Sequence, residues 1–542
     1  METRSRRTTV VRRRTRSHVR RVRLQRNLTL FTFSMIIAIV GCSLVYFTVV
    51  APPTTTTFAS DSSDAALLPM WTATPTKVLP TPTPAILAKT LVTPKPTATD
   101  VIPPILYYSQ AGDTLRSLAF RFGVTPSEIT SPDAIPPTAF INPGQLLIIP
   151  NRIKVTSNNK QLLPDSEFVY SPSAVDFNVK DFVKRSGGYL SHFTEYLGTT
   201  GNTSGADIVQ RVALENSVNP RLLLALLDYQ SHWVTGQPRS LVESKYPLGY
   251  IDPMYDGLYK QLTWAVVRMS QGYYGWREGL VNTLTFADKS TLRLAPDLNA
   301  GTVALLYLYS DLGDQQSMNQ ALYSPASLMA WHEKLFGNPW LRAESVEPLF
   351  PATLTQPELI LPFQLNTLWA FSGGPHPAWE PGGARAALDF APASDKPGCV
   401  PSNAWVVAAA TGLVVRSDGG VVIEDLDGDG HEQTGWDILY LHIEDRDRVP
   451  VGTWLAQGDK IGHPSCEGGY ATGTHVHIAR KYNGEWMLAD GPVPFVMSGY
   501  QAHAGVKDYE GYLTKGDQQI VARPDGSADT QIRRTEVDAN GS

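Results

Sequence analysis

The hydrophobic rhythm of the chain changes several times between its two ends. From Leu28 to Ala51 the stretch LTLFTFSMIIAIVGCSLVYFTVVA carries no charged residue. At about 1.5 Å per helical residue it exceeds a hydrocarbon core of about 30 Å, so a transmembrane helix is predicted over 28–51. Residues 52–104 are rich in Pro, Thr and Ala and show no periodicity, as expected of an extended linker. Over 105–152 a short strand precedes Asp113, placed to cap the helix TLRSLAFRF. A second helix start follows at Thr125-Pro126, and Pro143-Gly144 turns into the strand QLLIIP, a βααβ order. Residues 165–345 hold apolar positions at helical spacing, as in RLLLALLDYQSHWV after Asn219-Pro220 and in LNAGTVALLYLYSDL, and predict an all-α middle domain. From about Gln356 the pattern shortens to alternating strands with turn signals, an antiparallel β domain over 356–505. Residues 506–542 are polar and read as an irregular tail. The expected fold class is multidomain α+β.

Charge adds an orientation. Eleven Arg lie within the first 26 residues against a single acidic residue, Glu2. By the positive-inside bias, residues 1–27 are a cytoplasmic segment and the remainder lies outside, a single-pass membrane protein. A cleaved signal peptide is the rival reading, although its apolar region is normally shorter. Ile39-Val40-Gly41-Cys42 also resembles a lipobox that would lipidate Cys42, but the apolar run continues past it. The net charge is −5, and no nucleic-acid partner is expected. Two of the three cysteines, Cys399 and Cys466, would lie in the oxidising exterior and are a candidate disulfide.

The chemistry concentrates in the β domain. In Thr474-His475-Val476-His477-Ile478, alternate side chains share a face, so His475 and His477 project into one groove while Val476 and Ile478 face the core. His442 ends the apolar strand LYLH, and Asp389 stands in AALDFAP. Hydrolytic zinc sites take three protein ligands from His, Asp or Glu and leave a fourth position for water, so such a set contains enough ligands with histidines to spare.

The motifs LDFAP, LYLH and GTHVHI resemble those of the lysostaphin-type zinc endopeptidases, and FSGGPH at 371–376 resembles the opening of the β-lytic branch of that family. Many relatives carry the first ligand four residues before the aspartate, where this chain has Arg385. In the β-lytic branch it lies thirteen residues before, where this chain has His376. The resemblance implies that His376, Asp389 and His477 bind Zn²⁺ and that His442 and His475 stand beside the bound water as catalytic residues. It leaves open which of the two is the general base, and whether the intervening loop brings His376 and Asp389 together.

Other stretches carry weaker likenesses. GDTL and NPGQLLIIP resemble a LysM module over 105–152, which implies binding to N-acetylglucosamine-containing glycan. The helix NPRLLLALLDYQS resembles the catalytic helix of lysozyme-like lytic transglycosylases, but Gln230-Ser231 replaces the Glu-Ser pair and an amide donates no proton to a glycosidic oxygen. Asp228 is two residues off. The middle domain is therefore expected to bind glycan or act as a spacer. Asp425, Asp427 and Asp429 look like the start of a calcium loop, but the twelfth position is Trp436, which leaves the cage incomplete, and a hairpin turn uses the same residues.

Together these readings predict a membrane-anchored extracytoplasmic zinc endopeptidase that cuts peptide cross-links of peptidoglycan. The alternatives are a catalytically silent wall-binding scaffold that activates another hydrolase, and a zinc protease acting on glycine-rich proteins.

Overall fold

A computed structural model describes residues 102–535. The predicted span at 28–51, the basic segment before it and nearly all of the linker lie outside these residues. Among the described residues, no helix is long and apolar enough to cross a membrane.

The first module pairs strand β1 (Ile105–Tyr108) antiparallel with β2 (Leu146–Ile149), Ile105 opposite Ile149. Helix α1 (Leu115–Phe122) buries Leu118 and Phe122 against Tyr107, Leu147 and Ile149. Two details depart from the sequence reading. Thr114, not Asp113, caps α1, in a reciprocal box with Ser117. Asp113 is buried; it takes a 2.7 Å hydrogen bond from Arg121 and another of 2.7 Å from the Tyr107 hydroxyl. The expected second helix is a single 3₁₀ turn, Pro126–Glu128, because β-branched residues and Pro132 follow it at once.

The middle region is built on α2 (Gly205–Asn216), α3 (Pro220–Ser231), α4 (Leu258–Glu278) and α5 (Ala300–Leu312). Asn219 caps α3 through a bond from the Arg221 N–H, with Pro220 at the first helical position. The region is not all-α. Two hairpins, Thr194–Leu197 with Gly201–Ser204 and Thr283–Thr285 with Thr291–Arg293, interrupt it, and their strands are too short for a periodicity to register.

The C-terminal region is a nine-stranded antiparallel sheet. Its strands are β3 (Leu368–His376), β4 (Ala387–Pro392), β5 (Gly412–Asp418), β6 (Val421–Asp425), β7 (Trp436–Leu441), β8 (Trp454–Leu455), β9 (Val476–Tyr482) and β10 (Gln531–Arg533). They lie in the order β8-β5-β6-β7-β9-β4-β3-β10, and Glu485–Trp486 pairs back on β9. One face packs Leu388, Phe390, Ile438, Tyr440, Val476 and Ile478 into its own core. On the other face Ile423, Leu439 and Ala479 join the core of the helical region, so the two regions share one interior.

The stretch read as an irregular tail is structured. Gly511–Lys515 and Gln518–Val521 form a hairpin across Gly516-Asp517 in a second, four-stranded sheet, and β10 pairs with β3, burying Ile532. Gly516 sits at φ 54°, as a two-residue hairpin turn requires.

Arg277 joins all three regions. From α4 its guanidinium reaches Glu485 beside β9 (3.1 Å) and Asp165 (3.0 Å), and donates to the Ala111 carbonyl of the first module. Tyr273 adds a 2.8 Å bond to Glu485. Glycine suits position 112, which lies at φ 85° and where a Cβ would lie 2.0 Å from Arg277 Nη1. Removing one member of a buried charge set leaves the others uncompensated at a cost of about 3–5 kcal/mol. Arg277→Ala is therefore expected to lower the denaturant midpoint substantially, as read by tryptophan fluorescence.

Glu424 on β6 supplies a pH dependence. Burial pushes its carboxyl up to about 8 from an ordinary 4.5, against the opposing effect of a 2.7 Å bond donated by Tyr440. The folded chain thus keeps this proton over a range where the unfolded chain has released it. This contribution to stability is complete below about pH 4.5 and is lost as pH rises towards about 8. Glu424→Gln should remove that slope from a series of thermal melts, leaving the variant more stable than the wild type near pH 8.

Candidate metal centre

The register of three strands builds the site. Gly373 on β3 lies opposite Asp389 on β4, and Asp389 lies opposite His477 on β9. Paired residues of antiparallel strands share a face, so these positions form one row across the sheet. Irregularities in β3 on either side of Gly373 carry the strand on to His376, opposite Ala387. The loop between β3 and β4 does fold back, with the Ala378 N–H bonded to the Ala384 carbonyl at 3.0 Å. His376 Nε2 and His477 Nδ1 each come within 3.3 Å of Asp389 Oδ1 and within 3.0 Å of each other. All three side chains are buried.

Gly373 makes room for this meeting. A Cβ there would lie 2.5 Å from Asp389 Oδ2.

Main-chain carbonyls set the tautomers. A carbonyl can only accept, so His376 Nδ1 donates to Gly374 O (2.7 Å) and His477 Nε2 donates to Ala378 O (3.0 Å). The remaining ring nitrogens then present lone pairs to one another and to Asp389 Oδ1, a buried oxygen without a hydrogen-bond donor. Three electron-rich atoms held this closely call for a cation. A tetrahedral zinc with bonds of about 2.0 Å separates neighbouring donors by about 3.3 Å, which the triangle matches. Burial opposes ionisation of Asp389, but His376 and then His475, when they are protonated, outweigh it and hold the carboxyl well below the usual range.

His442 and His475 stand alongside, with ring centroids 4.4 Å apart. Each donates Nδ1–H to a main-chain carbonyl, His442 to Glu467 (2.7 Å) and His475 to Gly473 (2.8 Å), which leaves each Nε2 with its lone pair, that of His475 lying 3.7 Å from Asp389 Oδ1. Burial, with His475 and His477 nearby, pushes His442 down to about 3, so it is neutral at physiological pH. His442 also lies at φ 66°, a strained conformation for a residue without glycine's freedom. Cys399 and Cys466 form a disulfide. Beside it, Thr474 bonds the Gly398 and Val400 carbonyls, which ties the two loops flanking the histidines.

Arg385 has a role of its own. It pairs with Asp508 (3.1 Å) and donates to the Gly505 and Lys507 carbonyls, fixing the loop that lays the Tyr509 ring on His376, centroids 4.1 Å apart. Tyr509 lies in the supposed tail and was missed. Asp228 of α3 is satisfied by four donors, from Val234, Thr235 twice and Trp331, and Gln230 donates to the Tyr309 hydroxyl. Neither is arranged as a glycosidic acid.

Comparison with known proteins agrees with this architecture. Residues 110–150 match the LysM domain family, and residues 161–350 match a family described as LasA, N-terminal domain. Protease LasA from two strains of Pseudomonas aeruginosa, UCBPP-PA14 and PAO1, is 26% identical over 371 residues, covering 64% of this chain and 79% of the relative. The chain thus carries a match to the LysM family and is similar to a protease over 64% of its length. Among solved structures, this chain resembles the M23 metalloprotease pseudoalterin from the deep sea, with 23% identity, a TM-score of 0.26, and coverage of 31% of this chain and 96% of the other. The lysostaphin catalytic domain from Staphylococcus simulans gives 24%, 0.17, 23% and 90% in the same order. The helical region matches the LasA N-terminal family, which the likeness to lytic transglycosylases did not foresee.

Gly373→Ala should displace the Asp389 carboxylate without disturbing the sheet. Metal affinity is expected to fall by roughly 10–100-fold, as for other groups that orient ligands, with the far-UV circular dichroism unchanged. Metal content after dialysis against a graded chelator series measures it.

Proposed function

We propose that this chain is a zinc endopeptidase that hydrolyses peptide cross-links of peptidoglycan outside the cell, anchored by the apolar segment at 28–51 and held on glycan by its LysM module. The observation that carries the reading is the convergence of the His376, His477 and Asp389 lone pairs, with two further imidazoles beside them. Those three residues would hold the zinc. Bound there, zinc would supply Lewis acidity to polarise the scissile carbonyl and acidify an attacking water. The Nε2 atoms of His442 and His475 would accept the water's proton and deliver one to the departing amine. His442, a weak base by virtue of its burial, would surrender a proton readily once charged. The backbone bonds at each Nδ1 hold both rings in the tautomer this needs.

The LysM match supports a wall substrate, because tethering to glycan raises the local concentration of stem peptides. The kinship with a protein named Protease LasA supports peptide-bond hydrolysis and leaves the glycine-rich protein substrate as a competitor.

The test is digestion of purified peptidoglycan by the full chain, with free amines and zinc content measured together. Zinc near one per chain, with amine release abolished by chelation and by His477→Ala, is expected. Zinc-loaded protein that pellets with peptidoglycan but releases no amines would establish the silent scaffold instead. Release from glycine-rich proteins alone would establish the other competitor.

A further inference from the structure

The metallopeptidase reading leaves unexplained a group of carboxylates at the end of β7 away from His442. Asp425 closes β6 and Asp437 lies opposite it near the start of β7. Cross-strand partners share a face, so the two side chains lie on the same side of the hairpin, and both are fully buried. Asp427 and Asp429 bring oxygens within 4.8 Å of one another and of an Asp425 oxygen. Asp427 also folds back towards β7, since a Cβ on Gly435 would lie 2.2 Å from Asp427 Oδ2.

The decisive feature is Asp437. Neither of its oxygens has a hydrogen-bond donor. The nearby cations are already committed, because Lys481, its neighbour across β9, and Arg416 both bond Glu432 at 2.9 Å. Asp425, by contrast, accepts three turn N–H groups from Asp427, Gly428 and Gly430. A turn therefore accounts for Asp425 but not for the bare, buried carboxylate opposite it.

We propose that Asp425, Asp427, Asp429 and Asp437 bind a calcium ion, independently of the zinc centre. A donor set made wholly of carboxylate oxygen suits a hard cation and disfavours zinc, which prefers nitrogen and sulfur. The missing acidic group at the twelfth position of the loop is supplied at the thirteenth, on the paired strand, so the hairpin itself closes the site. Calcium would pin the β6–β7 hairpin, whose second strand leads directly to His442.

The experiment is calorimetric titration of the zinc-loaded full chain with CaCl₂ and, separately, with MgCl₂, alongside thermal unfolding with and without Ca²⁺. One Ca²⁺ per chain is expected, with a Kd on the order of 10⁻⁴ M or tighter and Mg²⁺ weaker by about tenfold or more. The unfolding midpoint should rise with Ca²⁺ concentration. Asp437→Asn should weaken Ca²⁺ binding by roughly tenfold or more without lowering the calcium-free midpoint. Asp427→Asn, at an exposed position, should weaken binding comparably while leaving the calcium-free midpoint unchanged. The proposal is overturned by wild-type protein that neither binds Ca²⁺ nor shifts its midpoint at about 10 mM. It is equally overturned if Asp437→Asn binds Ca²⁺ as tightly as wild type, for the exposed loop alone would then hold the ion.

Discussion

The arrangement of the three regions turns on a single buried guanidinium. Arg277 is held between Asp165 and Glu485, and its remaining donors reach the first module. A charge in such a place is tolerated only when each neighbour is a partner, which makes its geometry selective. Because Glu485 follows the central strand β9, the same contact seats the helical region against the sheet that carries the histidines. Nearby, Ser217 bonds the Gly484 carbonyl and Asn483 bonds that of Leu349, so the hairpin tip after β9 is gripped on several sides.

Within the site, backbone and side chain exchange their usual roles. The four imidazoles are not oriented by carboxylates, as ligating histidines often are, but by main-chain carbonyls at Gly374, Ala378, Glu467 and Gly473. The one carboxylate in the cluster is thereby left free to act as a donor. Orientation by backbone carries no signature in residue type, and only the folded chain displays it.

Much of the candidate site was legible in the sequence. The alternation in THVHI fixes which residues face the groove, and Val476 and Ile478 are indeed in the core opposite His477. The arginine at 385 was readable as something other than a lost ligand, though its partners Asp508, Gly505 and Lys507 were not, since they lie some 120 residues away. Tyr509 was missed because its surroundings are polar, and the Gly516-Asp517 turn that marks a hairpin just beyond it was passed over. Asp113 was misplaced for a different reason. A local cap and a buried pair with Arg121 compete for the same carboxylate, and the tertiary contact prevails while Thr114 serves the helix. The membrane segment, by contrast, is a matter of sequence alone here.

The ladder position of Asp389 between Gly373 and His477 has a bearing on how such a site can vary. Its address is a coordinate on the sheet, not an interval along the chain. A loop of another length between β3 and β4 could deliver the same three donors, whereas a slip of one residue in either strand pair would turn Leu388 or Phe390 into the groove and send the carboxylate into the core. Spacing between ligand motifs is therefore free to drift in this architecture, and strand register is not.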